Sequence, residues 1–270
     1  MSFLDSARTR RSVRTFDGNG VDEKVLSELK TFAESITNPY GINITFKFLD
    51  AKEHKLSSPV LSGEKCYVSG VTKMEPHVEE AYGYSFQKLL MKAHDLGLGT
   101  VWIGGTMPRE KFEEASELKD GEIMPCVSPL GVAAGKMGIK EGLMRTGLKA
   151  DKRFKFEDLF FAGDFSKSLS VSDAEKCGLK DALTAVQLAP SAVNKQPWRV
   201  VIDGNKAHFY ERHDKGFTAA GYDLQKIDLG IALYNFEAEL TSEGKTPELS
   251  IEAPAISVPE NVEYVATYRF

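Results

Sequence analysis

One order of local patterns occurs twice along this chain, and it limits the folds that the chain can adopt. In each half, an apolar-periodic helix precedes a loop and a strand, and a second, longer helix precedes further strands. The helical segments are 22–36 and 78–96 in the first half, and 172–189 and 222–243 in the second. We therefore predict two similar halves within one chain, packed about a pseudo-twofold axis as the subunits of a homodimer are.

The strand and cap signals predict the rest of the architecture. INITFKF (42–48) alternates apolar and polar positions, and TVWIGG (100–105) predicts a short buried strand. The basic, glycine-punctuated stretch 135–170 predicts an irregular crossing segment. A hairpin turn is predicted at 203–205. We expect an α+β fold in which mixed or antiparallel sheets are flanked by helices.

The predicted boundaries follow from the same patterns. The first half would comprise residues 1–165 and the second half residues 166–270. Asp22 is the expected N-cap of the first long helix, and Ser172 or Asp173 is the expected N-cap of the helix that opens the second half.

Composition excludes several classes of protein. The 270 residues are 42% hydrophobic, which suffices for one large core or two modest ones. The net charge of −5 predicts no attraction to nucleic acid or to an anionic membrane. No run approaches the roughly 18 apolar residues of a membrane span, and MSFLDSARTRR lacks the apolar stretch of a secretory signal. The three cysteines are widely spaced and odd in number, so we expect no disulfide framework in a soluble, cytoplasmic protein.

Two short stretches are chemically unusual. RTRRSVR (8–14) concentrates positive charge in an acidic chain, and the guanidinium groups of Arg10, Arg11 and Arg14 suit phosphate oxygens, with Ser12 as a further donor. A solvated basic face is the structural alternative.

The second stretch, LAPSAVNKQPWRVV (188–201), places Ser191 and Asn194 between two prolines, where short polar groups can reach a ligand. A plain helix stop is the alternative for this loop. Trp198 opens the following strand, and we expect it to pack in the core.

Together these two stretches resemble the FMN-dependent nitroreductase family. Its members carry Arg-Arg-Ser-x-Arg after a short first helix and a Pro-Ser-x-x-Asn-x-Gln-Pro-Trp loop, and two subunits share each flavin. Here the loop lies in the second half, which is similar to the family's fused, pseudo-dimeric, TM-nitroreductase-like branch. The resemblance covers essentially the whole chain. It implies a nitroreductase-like fold in which the two halves form an intrachain pseudo-dimer.

The resemblance also implies a set of FMN contacts from both halves. The first arginines and Ser12 would hold the phosphate and ribityl end, Arg14 would lie near O2 of the ring, and residues 103–105 would pass the ring and donate to N5. A tight turn is the alternative for the glycines. The implied cofactor-binding residues are Arg10, Arg11, Ser12, Arg14, Ile103, Gly104, Gly105, Arg153, Pro190, Ser191, Ala192 and Asn194.

The activity that the resemblance implies is FMN-dependent NAD(P)H oxidoreduction. NADH or NADPH would reduce flavin N5 and leave before a nitroaromatic, quinone or similar acceptor binds, in a ping-pong sequence. No side chain is expected to act as a catalytic acid, base or nucleophile, because the flavin performs the chemistry. The alternative is a non-catalytic or degenerate flavin-binding module. A small-molecule acceptor is the expected partner, and both a monomer and a further homodimer stay open.

Other motifs are missing from the sequence. GLGTVW lacks the third glycine of a dinucleotide fingerprint, and GVAAGKMG is one residue short of a phosphate-binding loop. No zinc-binding motif is complete, so we expect no metal. The histidines are scattered and are expected to be structural or exposed; they include His54, His94, His208 and His213.

Overall fold

The chain is described by a computed structural model that covers residues 2–219 and 221–270. Its helices are α1 (Phe3–Thr9), α2 (Glu23–Glu34), α3 (Val78–Asp95), α4 (Arg109–Ala115), α5 (Ile139–Gly147), α6 (Phe156–Leu159), α7 (Val171–Lys176), α8 (Lys180–Leu188) and α9 (Leu224–Ser242). Its strands are β1 (Thr45–Asp50), β2 (Cys66–Lys73), β3 (Glu122–Ile123), β4 (Val127–Leu130), β5 (Phe160–Ala162), β6 (Trp198–Asp203), β7 (Lys206–Arg212), β8 (Thr218–Ala219), β9 (Tyr222–Asp223), β10 (Glu248–Ser250) and β11 (Val262–Arg269).

These elements form two compact units. The N-terminal unit is Arg10–Ala150, and the C-terminal unit joins the residues up to Thr9 with Asp151–Phe270. Helix α1 belongs to the C-terminal unit because it packs on α8 and α9. There the amide of Leu4 donates to Oε2 of Glu239 at 2.6 Å. The units therefore divide the chain at 9/10 and 150/151, whereas the sequence analysis placed one division after residue 165.

The N-terminal unit contains an antiparallel sheet. Strand β2 is its centre and pairs with β1, β3 and β4. The long helix α3 is buried over most of its surface, and Tyr82 and Phe86 are fully buried on it. Asp22 accepts from the amides of Lys24 and Val25, which confirms it as the N-cap of α2.

The C-terminal unit contains a mixed sheet in the order β10-β11-β7-β6-β5, with β5 parallel to β6 and the other pairs antiparallel. Gly204 adopts φ +57 between β6 and β7, so the predicted hairpin is confirmed. Trp198 is fully buried at the start of β6, as expected of a core residue. The prediction of mixed and antiparallel sheets flanked by helices is likewise confirmed.

Segment 100–105 is not the predicted strand. It makes isolated bridges to different partners, from Thr100 to Ser12 and from Ile103 to Val127. Because the partner changes within three residues, no ladder extends along the segment.

The stretch 135–170 is more regular than predicted, since it contains α5, α6 and β5. Helix α5 contains Gly142 and Gly147, residues of low helix propensity, and its polarity is inverted. Ile139 and Leu143 are 85% and 70% exposed, whereas Glu141 is 1% exposed. The sequence of α5 is amphipathic, but the spacing of its residues does not reveal that its apolar face is the exposed one.

The predicted helix 172–189 is two helices, α7 and α8. Gly178 adopts φ +66 between them, a conformation typical of the residue after a helix end. The N-cap is Ser170, whose Oγ accepts from the amide of Asp173, so the expected caps Ser172 and Asp173 are wrong. None of the helices described in residues 2–219 and 221–270 has both the length and the apolar content that crossing a membrane requires.

Candidate functional site

In the N-terminal unit, residues 10–16, which we call the arginine segment, run extended between glycine-containing strands and loops. The amide of Val13 donates to the carbonyl of Thr100 at 2.9 Å. A Cβ on Gly99 would lie 2.8 Å from the side chain of Val13, and a Cβ on Gly63 would lie 2.4 Å from the carbonyl oxygen of Phe16. These approaches are closer than van der Waals contact permits, so the backbone path of the segment depends on glycine neighbours.

A buried carboxylate holds the arginines in place. Oε1 of Glu141 lies 2.6 Å from Nη1 of Arg11, and Oε2 accepts from the amide of Arg14 at 2.9 Å. The carboxylate therefore satisfies one backbone donor and one guanidinium at once. Sequence reasoning missed Glu141. Its burial between outward-facing apolar residues is a property of the tertiary structure that the local sequence does not reveal.

Arg14 has unused hydrogen-bonding capacity. Its side chain is 9% exposed, and Nη1 is buried without a hydrogen-bond partner among the described residues. Burial lowers the pKa of this guanidinium, Glu141 raises it and Arg145 lowers it. An unsatisfied buried donor on a cation is costly, which suits a ligand oxygen at this position.

The remaining predicted cofactor-binding residues of the arginine segment are Arg10 and Ser12. Arg10 is half-buried. Burial lowers the pKa of His94, and the charge of Arg10 lowers it further, so the two side chains influence each other. Ser12 is held through its backbone bridge to Thr100. The structure thus places all four predicted residues of this stretch on one backbone path.

Residues 103–105 lie beside β4, with which Ile103 forms an isolated bridge. Ile103 is 3% exposed and exchanges two backbone hydrogen bonds of 2.9 Å with Val127. The carbonyl of Gly104 accepts from Nη2 of Arg109 at 2.7 Å. Among the described residues, the amides of Gly104 and Gly105 have no acceptor. Within this stretch, only the amides of the two glycines are therefore available to a ligand, because the amide of Ile103 is already bonded.

In the C-terminal unit, residues 189–197, which we call the polar loop, are organised by a second buried carboxylate. The amide of Ala192 donates to both oxygens of Asp228 on α9, at 3.1 and 3.0 Å. Oγ of Ser191 accepts from the amide of Gln196 at 2.8 Å, and Pro190 is half-buried beside it. Hydrogen bonds to Asp228 therefore fix the centre of the loop, and a hydrogen bond within the loop, to Ser191, joins its two sides.

The polar loop also contains unusual backbone conformations. Val193, Asn194 and Gln196 have φ values of 43°, 60° and 50°. Asparagine tolerates the left-handed region, but a β-branched valine rarely adopts it. Strain of this kind is typical of functional loops and persists only where surrounding contacts over-determine the backbone.

Arg153, another of the predicted cofactor-binding residues, lies against the polar loop. Nη1 donates to Oδ1 of Asn194 at 3.2 Å, and Nη2 donates to the carbonyl of Leu188 at 3.2 Å. Nδ2 of Asn194 donates to the carbonyl of Lys152 at 2.9 Å. The structure therefore brings Arg153 and Asn194 together within the C-terminal unit.

Asp228 is the second functional residue that sequence reasoning missed. It is fully buried, and burial raises its pKa well above the usual value, while the Ala192 amide lowers it and the nearby Asp223 and Glu211 raise it further. Asp228 is one of several polar residues in α9, so the local sequence does not set it apart.

A cavity lies elsewhere in the C-terminal unit. It has a volume of about 1130 Å³ and is lined by Lys206, His208, Glu252 and residues 253–259. None of the predicted cofactor-binding residues lines this cavity.

The class that the fold and these sites define is an α+β protein of two compact units, one with an arginine segment and one with a polar loop. The chain belongs to the family described as "Putative TM nitroreductase", whose model matches residues 3–240.

One solved structure supports this assignment of the fold. A "putative nitroreductase" from Thermotoga maritima MSB8 is 16% identical, covers 99% of this chain and 92% of its own, and superposes with a TM-score of 0.63. An FMN-dependent nitroreductase from Clostridium difficile R20291 is 18% identical over 50% of this chain and 88% of its own, with a TM-score of 0.42. No curated protein matches the chain in a sequence comparison. The expected nitroreductase-like fold is confirmed by the first of these structures.

Proposed function

We propose that this chain is an FMN-dependent NAD(P)H oxidoreductase of nitroreductase type. The observation that supports it most is the unsatisfied, buried guanidinium of Arg14 beside the Arg11–Glu141 pair. A site built for a phosphate-bearing, oxygen-rich ring system needs clustered donors of this kind. The family and the fold supply the context for that chemistry.

In the N-terminal unit, the roles follow from the donors present. Arg10, Arg11 and Ser12 would hold the phosphate and ribityl end. Arg14 would donate to a ring oxygen, and the amide of Gly104 or Gly105 would donate to a ring nitrogen. The residues fit because their backbone is fixed by close contacts and their donors are not all used within the chain.

In the C-terminal unit, Pro190, Ser191, Ala192, Asn194 and Arg153 would contribute the remaining contacts. The Oγ of Ser191 accepts from Gln196, and its O–H stays available to donate to a ligand. Arg153 and Asn194 already hold each other, so their role would be to present a fixed surface rather than to rearrange.

Bound FMN would take electrons from NADH or NADPH and pass them to a nitroaromatic, quinone or similar acceptor. The residues of the chain bind and orient the reactants, and the positive charge of Arg14 would favour negative charge that develops on the ring. No side chain needs to move a proton in this proposal.

Titration of the purified chain with FMN tests the proposal. We expect about one FMN per chain, bleaching by NADH or NADPH without oxygen, and recovery of the colour when a quinone or nitroarene is added. FMN that binds but is reduced by neither nucleotide would favour the non-catalytic module. Absence of binding at micromolar FMN would overturn the site itself.

Arg14→Gln provides a sharper test, with Arg8→Gln as its control, since Arg8 is exposed on α1. Removing a charge-assisted donor should weaken FMN binding by about tenfold or more. The free energy of unfolding without FMN should not fall, because a desolvated cation is removed. The hydrogen bond from the backbone amide of residue 14 to Glu141 is kept. Equal FMN affinity in the two variants would remove Arg14 from the site.

A further inference from the structure

Three side chains in the C-terminal unit converge at the end of β7. Glu211 lies in β7, His213 follows it, and Asp223 lies in β9 immediately before α9. One ligand atom from each residue lies within 4.8 Å of the others. Carboxylate oxygen and imidazole nitrogen are both ligands for divalent transition metals.

The buried member of this group has no hydrogen-bond partner. The side chain of Glu211 is fully buried, and neither Oε1 nor Oε2 accepts a hydrogen bond from a described residue. Nδ1 of His213 lies 2.8 Å from Oε1 without the alignment of a hydrogen bond. Burial and then the charge of Asp223 raise the pKa of Glu211 to about 7, and His213 lowers it. A buried carboxylate in this position is neutralised either by a proton or by a nearby cation.

The histidine is oriented as metal-binding histidines are. Nε2 of His213 lies 2.9 Å from Oε2 of Glu263, and the other oxygen of Glu263 lies 3.6 Å from Nζ of Lys226. A carboxylate at Nε2 favours the proton on that nitrogen, which leaves the lone pair of Nδ1 available to a metal ion. The side chain of His213 is 36% exposed, so water can reach the open side of the group.

We propose that Glu211, His213 and Asp223 bind one divalent transition-metal ion, of which Zn²⁺ is the best probe. The ion would neutralise the unsatisfied carboxylate and join the end of β7 to the start of α9. It would take three protein ligands, with water completing its coordination. None of the three residues belongs to the arginine segment or the polar loop, and no sequence motif indicated the site. It also gives His213 a role that differs from the structural or exposed one expected from sequence.

The test is a Zn²⁺ titration of the chelator-treated, FMN-free chain against a competing chromophoric chelator. We expect saturation at about one Zn²⁺ per chain, with affinity at least about tenfold weaker in His213→Gln and in Asp223→Asn. Asparagine is also a good N-cap, so Asp223→Asn keeps the start of α9. His54→Gln is the matched control, because His54 is an exposed histidine of the N-terminal unit.

Co²⁺ provides a second readout that stability does not affect. Visible absorption bands of a low-coordinate Co²⁺ ion should appear in the wild-type chain and in His54→Gln, and should be lost in His213→Gln. Equal Zn²⁺ affinity in the wild-type chain and His213→Gln would overturn the site. Absence of saturable binding would also overturn it. A His213 protonated on both ring nitrogens, between Glu211 and Glu263, would then explain the cluster.

Discussion

The arginine segment and the polar loop are held in place by different kinds of interaction. Each is an irregular stretch held by a buried carboxylate that accepts a backbone amide, with Glu141 accepting from Arg14 and Asp228 from Ala192. Glu141 also pairs with a guanidinium. Asp228 makes no ion pair within residues 2–219 and 221–270, and burial raises its pKa. The first anchor therefore depends on charge, whereas the second depends on hydrogen bonding.

The two stretches also differ in how their backbones are accommodated. The arginine segment has ordinary backbone angles and needs neighbouring glycines that leave room for it. The polar loop instead places non-glycine residues in the left-handed region. Close packing would thus limit substitutions around the first stretch, and internal strain would limit the stability of the second.

The largest effect is expected for Gly63→Ala, beside the arginine segment. Gly63 has φ +83, and its added Cβ would lie 2.4 Å from the carbonyl oxygen of Phe16, so strain and a backbone clash combine. We expect a loss of about 2–5 kcal/mol in the free energy of unfolding. Denaturant unfolding measures it.

Gly18→Ala is the matched control for this substitution. Gly18 has the same φ of +83, but no atom lies within 4 Å of its added Cβ. It should therefore cost only the backbone strain, about 1–2 kcal/mol. Equal losses at the two positions would mean that the contact with Phe16 contributes nothing.

Glu141→Gln should have the next largest effect. The amide can still accept from Arg14, but Arg11 loses its negative partner. We expect unfolding to become easier by about 1–3 kcal/mol, because the lost bond is charge-assisted and the carboxylate is buried. Glu117→Gln is the control, since its ion pair with Lys47 is exposed, and no measurable change is expected there. Equal effects would show that burial of Glu141 is irrelevant.

Asp228→Asn should destabilise the fold much less, within about 1 kcal/mol at neutral pH, because a carbonyl oxygen remains for the Ala192 amide and no ion pair is lost.

The pH dependence of the stability of Asp228→Asn gives a second measure. A carboxyl whose folded-state pKa is raised above the usual 3.8 stabilises the fold most below that value, and this contribution falls as the pH rises. The wild-type chain should thus lose stability relative to Asp228→Asn between acid and neutral pH. If Asp228→Asn lost as much stability as Glu141→Gln, the two buried carboxylates would not differ in the way proposed.

The smallest effect is expected for Val193→Gly, in the polar loop. Val193 is 55% exposed and has φ 43°, so glycine relieves strain while little buried surface is lost. A gain of about 0.5–1 kcal/mol is expected after the entropy of the unfolded chain is counted. Val258→Gly, at another exposed valine without a left-handed φ, should be destabilising instead. The same sign for both variants would show that Val193 is unstrained.

Much of this protein is predictable from local pattern. The long helices, the hairpin at Gly204 and the buried Trp198 follow from periodicity and turn chemistry, and all are present in the structure. The two motifs that resemble the nitroreductase family are contiguous in sequence, so they are visible without any knowledge of tertiary contacts. Local signals suffice where the interacting residues are neighbours along the chain.

The sequence by itself determined the class of fold, the family and the two stretches that carry the candidate site. Only the tertiary structure decided that Glu141 holds Arg11 and Arg14, that Asp228 holds the polar loop, and that α1 packs with the C-terminal unit. An acidic side chain has the same local signature whether it is solvated or buried. Its role depends on which donors the fold brings to it from distant positions, and no sequence period encodes that meeting.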